Sequence, residues 1–338
     1  MIIVLKPNTS KEEVDHIMKK IESLGLKAHF SKGETTSIIG VIGDESKLSE
    51  QPIDAISGVE KVMPVLKPYK MASREFKASR TVITVGDKKI GGAAFTVIAG
   101  PCSVENEEGM IRIAKELKAR GAHFLRGGAF KPRTSPYAFQ GLGRRGLEIL
   151  AEARKVTGLG ICTEVMDVRD VELVASFADI VQIGARNTQN FNLLKEVGSA
   201  KKPILLKRGF AVTIEEFLMS AEYILANGNP DVILCERGIR TFETATRNTL
   251  DINAVPVMKD LSHLPVFTDP SHATGKRKYV AATAYASMAA GADGVMIEAH
   301  TDPESALTDG AQTVNCEEFS EIMATLSRIA PAVGRTLS

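Results

Sequence analysis

The sequence lacks the features that would favour nucleic-acid or membrane binding. It has no tryptophan and only 5% aromatic residues, which weakens the case for a site that stacks bases. Its 42 basic and 41 acidic residues give a formal net charge of +1, so no overall positive field would attract nucleic acid. It has no apolar run long enough to span a bilayer, and no basic leader precedes the apolar run at its N-terminus. We therefore expect no nucleic-acid partner and no membrane partner.

Cysteine is also scarce. The four cysteines are far apart and form no Cys-x-x-Cys pair; they are Cys102, Cys162, Cys235 and Cys316. This spacing gives no disulfide framework and favours a reduced, cytoplasmic protein.

Residues 1–66 are predicted to form a small domain of their own. Ser10 and Glu13 make a capping-box pair ahead of a helical apolar pattern, and Gly25 ends that helix. Strands are predicted at residues 2–6, 26–31, 37–42 and 59–66, and a short helical piece at 53–57. The order β-α-β-β-α-β predicts a ferredoxin-like α+β domain.

Residues 81–338 are predicted to form a (β/α)8 barrel, class α/β. A polar and basic linker is expected at residues 67–80, and the pair Gly86-Asp87 predicts a hairpin at the start of the barrel. Apolar strands then alternate with helices; the strands are predicted at 96–99, 123–126, 160–164, 180–183, 203–207, 232–236, 266–268 and 295–298. An open doubly wound sheet is the alternative, but no Gly-x-Gly-x-x-Gly turn follows the first of these strands.

Cations are concentrated at the predicted strand ends, where such barrels have their active sites. The stretch from Leu125 to Ser135 gathers three cations just after a strand and a pair of glycines, and others follow later strands. The full set is Arg126, Lys131, Arg133, Arg186, Lys207 and Arg237. Pairing with Glu164, Glu236 and Asp269 would neutralise some of them but not all six. We therefore predict an anion site for a carboxylate and one or two phosphates.

A second set of residues could hold a metal ion. Cys102, His272, Glu298 and Asp309 are distant in the chain, but the seventh, eighth and first strands of a closed barrel are neighbours. Sulfur, nitrogen and oxygen ligands together suit one divalent ion such as Mn, Fe, Co or Zn. The alternative is that the cysteine is a small buried apolar residue and the histidine an ordinary hydrogen-bonded group.

Seven motifs, in order along the barrel, resemble those of one enzyme family. They are Ala99-Gly100-Pro101-Cys102-Ser103, Arg126-Gly127-Gly128 with Lys131-Pro132-Arg133-Thr134-Ser135, Gly184-Ala185-Arg186-Asn187, Lys207-Arg208-Gly209, Cys235-Glu236-Arg237-Gly238, Asp269-Pro270-Ser271-His272 and Ala306-Leu307-Thr308-Asp309-Gly310. The chain thus resembles the 3-deoxy-D-arabino-heptulosonate 7-phosphate synthases, in the form that has an N-terminal ferredoxin-like regulatory domain. The related 3-deoxy-D-manno-octulosonate 8-phosphate synthases remain the alternative. They have Ala-Asn-Arg where this chain has Pro132-Arg133.

The resemblance implies a condensation of phosphoenolpyruvate with erythrose 4-phosphate and water, the first step of the shikimate pathway to aromatic amino acids. It implies metal binding by Cys102, His272, Glu298 and Asp309. It also implies phosphoenolpyruvate binding by Arg126, Lys131, Arg186, Lys207 and Arg237, and sugar-phosphate binding by Arg133, Thr134 and Ser135. Lys131 is the expected proton donor, so that Lys131, His272 and Cys102 are the expected catalytic residues.

The resemblance further implies feedback inhibition by an aromatic amino acid, tyrosine or phenylalanine, bound to the N-terminal domain. His29 and Ser31, on the polar face of the second strand, are the predicted contacts. The same analogy implies a homotetramer.

Two other classes of function stay open. A Schiff-base aldolase would use Lys207 or Lys131 as an imine-forming amine. A phosphosugar sensor without catalysis would explain the cations, but it would leave Cys102 and His272 without a role.

Overall fold

The computed structural model describes residues 1–33, 36–43, 48, 51–63, 68–132 and 135–337. The chain divides into two compact units, Met1–Pro68 and Tyr69–Ser338, and the hydrophobic core of the small unit is separate from those of the large one. Within the described residues, every helix is too short or too polar to cross a membrane.

The small unit has the predicted ferredoxin-like arrangement. Its described elements are β1 (Ile2–Leu5), α1 (Lys11–Ser23), β2 (Lys27–Ser31), β3 (Ile38–Ile42), a 3-10 helix (Ile53–Ala55) where the short helical piece is predicted, and β4 (Val59–Met63). The strands form an antiparallel sheet in the order β2-β3-β1-β4. The predicted capping box is present at Ser10 and Glu13, and the helix buries Val14, Ile17 and Ile21 in the core of this unit.

The large unit is the predicted eight-stranded parallel barrel. Its strands are β7 (Ala94–Gly100), β8 (Phe124–Arg126), β9 (Gly160–Val165), β10 (Ile180–Ile183), β11 (Ile204–Lys207), β12 (Val232–Glu236), β13 (Val266–Thr268) and β14 (Gly294–Glu298). Each strand pairs with the next, and β14 pairs with β7 to close the ring. The strands are apolar on both faces, as expected when helices cover the outside of a parallel barrel.

Helices follow the strands around the barrel. They are α2 (Glu107–Ala119), α3 (Arg144–Thr157), α4 (Val171–Phe177), α5 (Phe191–Ser199), α6 (Ile214–Ala226), α7 (Ala254–Leu261), α8 (Pro270–Thr274), α9 (Arg277–Ala289) and α10 (Cys316–Ala332). In α2, the residues Met110, Ile113, Ala114 and Leu117 are buried, which is the spacing of one helical face. The short strand β15 (Thr336–Leu337) pairs with the start of β7.

The predicted hairpin packs against the barrel interior. Its strands are β5 (Ile83–Val85) and β6 (Lys88–Ile90). Ile83 and Ile90 belong to the same buried cluster as Phe124 and Ile180, the first residues of β8 and β10. The hairpin therefore fills the amino-terminal end of the barrel, opposite the end that carries the strand-end polar residues.

Residues 69–80, which were expected to belong to a linker, pack onto the barrel instead. Tyr69 and Ala72 are buried, and Glu222 of α6 accepts hydrogen bonds of 2.9 Å from the backbone N–H groups of Met71 and Ala72. The prediction failed because the composition of this stretch is polar, whereas its anchoring depends on a few small or aromatic side chains and on backbone donors.

Candidate active site

Four side chains with metal-binding chemistry meet at the carboxyl ends of the barrel strands. They are Cys102, His272, Glu298 and Asp309, and one donor atom from each lies within 4.8 Å of the others. The Cys102 Sγ lies 3.2 Å from Oδ2 of Asp309, and Nε2 of His272 lies 3.2 Å from Oε1 of Glu298. Cys102 and Glu298 are almost fully buried. The chain thus brings together all four residues that the sequence predicted as metal ligands.

The closed barrel and one capping residue explain how these groups converge. Glu298 ends β14 and is paired in register with Gly100 of β7, so the cysteine loop begins beside it. Asp269 caps the short helix α8: its Oδ1 accepts from the backbone N–H of His272 at 3.0 Å, and its Oδ2 lies 2.7 Å from Nδ1 of the same residue. The Asp269 carboxylate therefore lies on the Nδ1 side of the ring, and Nε2 faces the other donors.

The protonation of this cluster is compatible with binding of a divalent cation. Burial, followed by the nearby Glu298 carboxylate, raises the pKa of the Cys102 thiol to about 12. For Glu298, burial opposes ionisation, but facing positive charge outweighs it and lowers the pKa to about 2. A thiol beside two carboxylates becomes a thiolate when a divalent ion takes the place of its proton. One sulfur, one imidazole nitrogen and two carboxylate oxygens are donors for a borderline divalent metal.

The predicted cations surround a cavity of about 370 Å³ next to this cluster. It is lined by Arg126, Lys131, Arg186, Lys207 and Arg237, and also by Ser135, Glu164, Phe210 and Arg247. Five of the six predicted cations thus converge. Arg133 and Thr134 lie outside the described residues, and Ser135 lines the cavity as expected for a substrate contact.

Ion pairs account for only part of this positive charge. Lys207 lies 2.5 Å from Asp269, and Arg126 lies 2.8 Å from Glu298. Arg186 and Arg237 have no acidic partner within ion-pair distance in the part of the chain that the structure describes. Glu236, which was considered as a partner for the cavity cations, instead pairs with Arg208 at 2.8 Å. The residues that line the cavity therefore carry an excess of positive charge.

Lys131 lies between the four donor residues and the cations that line the cavity. Its Nζ donates to the Cys102 carbonyl oxygen at 2.8 Å and approaches the Cys102 Sγ at 2.9 Å, in a buried position. Gly128 makes this approach possible, since a Cβ atom there would lie 2.8 Å from Cδ of Lys131 and 2.9 Å from the Cys102 carbonyl oxygen. The Gly-Gly pair in the sequence thus leaves the space that the lysine side chain occupies.

Phe210 is a site residue that the sequence analysis missed. The guanidinium carbons of Arg237 and Arg186 lie 4.6 and 5.8 Å from the centre of its ring, and that of Arg240 lies 5.1 Å from it. The negative face of an aromatic ring attracts guanidinium groups, so the ring holds three mutually repelling cations close together. Its position directly after Lys207-Arg208-Gly209 was the available signal.

Arg247 and Gln312 were missed as well. Arg247 lies in the long connection between β12 and α7, outside every motif, and its Nη1 donates to the Gln312 amide oxygen at 3.0 Å. Gln312 follows Asp309 by three residues and is buried. Neither residue has a periodic or compositional signal.

In the small unit, His29 and Ser31 are exposed on β2, whereas Ala28 and Phe30 on its other face pack against the core. This unit also has a cavity of about 690 Å³, lined by Phe30, Met18 and Val14 and flanked by Lys6, Lys11 and Lys32. The predicted effector contacts and this cavity therefore lie on opposite faces of the strand.

Comparison with known proteins agrees with both units. The model of the DAHP synthetase I family matches residues 75–332, and that of the DAHP synthase ferredoxin-like domain matches residues 1–67. A phospho-2-dehydro-3-deoxyheptonate aldolase of Thermotoga maritima is 52% identical over 99% of both chains. A crystal structure of such an aldolase from that organism superposes with a TM-score of 0.94 at 51% identity, covering 99% of this chain and 98% of the other.

A more distant relative represents the alternative considered from the sequence. It is a 2-dehydro-3-deoxyphosphooctonate aldolase of Syntrophobacter fumaroxidans, 32% identical over 69% of this chain and 86% of its own. The sequence identity to the heptonate enzyme is higher, and that match extends over the small unit as well. The chain belongs to the DAHP synthetase I family, the 3-deoxy-7-phosphoheptulonate synthases, transferases that catalyse the first step of the shikimate pathway.

Proposed function

We propose that the cavity condenses phosphoenolpyruvate with erythrose 4-phosphate and water, with the help of a divalent ion. In this reaction C3 of phosphoenolpyruvate bonds to the aldehyde carbon, water adds at C2, and inorganic phosphate leaves. The observation that carries the proposal is the meeting of four metal-type donors with a cavity that has unpaired cations.

The cations fit the two charges of phosphoenolpyruvate. Arg186 and Arg237, backed by the Phe210 ring, can each donate two parallel hydrogen bonds to a phosphate or carboxylate. Lys207 adds a point charge from β11. Neutralising the anion lowers the repulsion between two phosphorylated substrates that must come into contact. Ser135, with Arg133 and Thr134, is proposed to bind the phosphate of the sugar.

Cys102, His272, Glu298 and Asp309 would hold the divalent ion. When bound, the ion supplies Lewis acidity that polarises the aldehyde oxygen. Asp269 orients the imidazole of His272, and Arg126 fixes Oε1 of Glu298 at 2.8 Å. Lys131 is the proposed proton donor, because its Nζ lies between this cluster and the cavity.

A Schiff-base mechanism is less compatible with the positions of the lysines. Lys207 is buried and its Nζ lies 2.5 Å from Oδ2 of Asp269, so its nitrogen is held by a carboxylate and is not positioned to attack a carbonyl carbon. Lys131 Nζ donates both to the Cys102 carbonyl oxygen and to the Cys102 sulfur. These contacts hold its nitrogen beside Cys102, so it is not positioned to form an imine.

Phosphate release tests the proposed reaction. With phosphoenolpyruvate present, we expect rapid release when erythrose 4-phosphate is added and little when arabinose 5-phosphate is added, since the chain has Pro132-Arg133 in its substrate loop. The assay is run with and without a chelator, and the metal-dependent mechanism predicts loss of activity with it. Preference for arabinose 5-phosphate would assign the octulosonate reaction, and release that resists the chelator while borohydride traps an imine would assign the Schiff-base class.

We also propose that residues 1–68 regulate the barrel by binding tyrosine or phenylalanine, with His29 and Ser31 as contacts. The small unit has its own buried core, which suits a separate ligand-binding module. The homotetramer and the cytoplasmic location remain predictions from the sequence.

Deletion of residues 1–68 is expected to leave the condensation active and to abolish its inhibition by tyrosine or phenylalanine. The residues of the cavity and of the donor cluster all lie in the large unit, so we expect catalysis not to require the small one. Initial rates of the full chain and the truncated chain, each with and without the amino acid, provide the measurement. A truncated chain that stays inhibited would contradict the regulatory role.

A further inference from the structure

The two carboxylate oxygens of Glu298 have different partners. Oε1 accepts from Arg126 at 2.8 Å and lies 3.2 Å from Nε2 of His272. Oε2 accepts from Nε2 of Gln312 at 2.5 Å. A carboxylate can bind a cation through one or both oxygens, so a donor that occupies Oε2 decides which oxygen faces the other ligands.

Gln312 is held in one orientation by its second partner. Its amide oxygen accepts from Nη1 of Arg247 at 3.0 Å. Because a guanidinium group only donates and an ionised carboxylate only accepts, the amide oxygen must face Arg247 and the amide nitrogen must face Glu298. The charges of Arg247 and Glu298 thus determine the orientation of the Gln312 amide group.

Arg247 is itself fixed in place although its side chain is 41% exposed. Its backbone N–H donates to the Thr274 carbonyl oxygen at 3.0 Å. Gly275, at φ +66°, leaves room for its side chain, because a Cβ atom there would lie 2.5 Å from Cβ of Arg247. Nη1 of Arg247 also lies 3.8 Å from Oδ1 of Asp309, so the arginine faces one of the four donor residues directly and a second, Glu298, through Gln312.

We propose that Gln312, oriented by Arg247, is a positioning residue that turns Oε1 of Glu298 toward the other three donor atoms and so raises the affinity for the divalent ion. This inference rests on the metal site of the proposed function. Without the amide, Oε2 would lose its buried partner, and the carboxylate would be free to rotate away from the arrangement seen here. Second partners of metal ligands commonly change affinity by about 10- to 100-fold.

The test measures binding of Mn²⁺ to metal-depleted full-length protein, with free Mn²⁺ followed by electron paramagnetic resonance. We expect Gln312→Met, which keeps the length of the side chain but removes both amide groups, to weaken binding by about 10- to 100-fold. The matched control is Gln189→Met at an exposed position, which should bind as the unchanged chain does. Thermal melting of each metal-free variant shows whether it is folded.

Arg247→Met provides a second test of the proposal, and this test does not require a substitution at a buried position. It should weaken binding in the same direction and by less, since it frees the amide without removing it. The double variant should bind no more weakly than Gln312→Met alone, because the two residues act in series. Unchanged affinity in Gln312→Met, or additive losses in the double variant, would overturn the proposal.

These outcomes are separable from a failure of the proposed function. If the unchanged chain does not bind Mn²⁺, Zn²⁺ or Fe²⁺, then the metal site itself is wrong. If it binds them and folded Gln312→Met binds equally well, then only the role of Gln312 is wrong.

Discussion

Replacing Cys102 by alanine is expected to lower the turnover number by about 10³-fold or more, with the fold intact. The metal site is proposed to supply several kcal/mol of transition-state stabilisation, and each 1.36 kcal/mol corresponds to about a tenfold change in rate. Alanine removes the sulfur that lies 3.2 Å from Asp309 and leaves three donors in place. The measurement is the rate of phosphoenolpyruvate consumption at saturating substrates, together with bound metal per chain.

The same cysteine is expected to make the affinity for a divalent ion depend on pH. Burial raises its pKa to about 12, so at neutral pH the metal-free thiol is protonated, and each ion that binds should release about one proton. Affinity should therefore rise as the pH increases, and Cys102→Ala should lose this proton release. Cys316→Ala is the matched control, since this buried cysteine begins α10 and is not part of the donor cluster. Normal turnover in Cys102→Ala, with or without bound metal, would refute the proposed role of the sulfur.

The architecture was largely predictable from the sequence because it depends on local signals. The parallel strands are short apolar runs that end in charged residues, such as Lys207, Glu236 and Glu298. A charged residue at the carboxyl end of a barrel strand lies at the mouth, so the closed ring brings the loops that carry the donors to one rim, and the Asp269 cap then places His272. The capping box at Ser10 likewise fixed the start of α1.

The parts that were missed depend on long-range geometry. Arg247 and Gln312 come together across 65 residues through a loop whose path no periodicity encodes. Phe210 looks like an ordinary aromatic residue until three arginines are seen around its ring. The contact of Met71 with Glu222 uses the backbone N–H of the former, and a backbone donor has no sequence signature.

The charges of the site also explain why the donor cluster lies next to the cations that line the cavity. Lys207 and Arg126 each pair with an acid that contacts His272, namely Asp269 and Glu298. These buried pairs fix the acids in place at the boundary between the donor cluster and the cavity. Arg186 and Arg237, which lie on the cavity side, keep their charge available for a substrate.

Lys131→Met is expected to reduce the turnover number by about 10²- to 10⁴-fold, the range that a positioned general acid contributes. Methionine keeps most of the length of the side chain but has no proton to donate, and it removes the contacts of Nζ with the carbonyl oxygen and sulfur of Cys102. Because the lysine also lines the anion cavity, the Michaelis constant for phosphoenolpyruvate should rise as well. Steady-state rates with both substrates varied separate the two effects.

The matched control is Lys155→Met, which removes a lysine charge from the exposed face of α3 and should leave both constants unchanged. Bound metal should be measured in both variants, because Nζ of Lys131 lies 2.9 Å from a proposed ligand. If Lys131→Met retains its metal and loses turnover, the lysine acts in the chemical step rather than in assembling the site. Near-normal turnover in the metal-loaded Lys131→Met variant would instead show that another group supplies the proton.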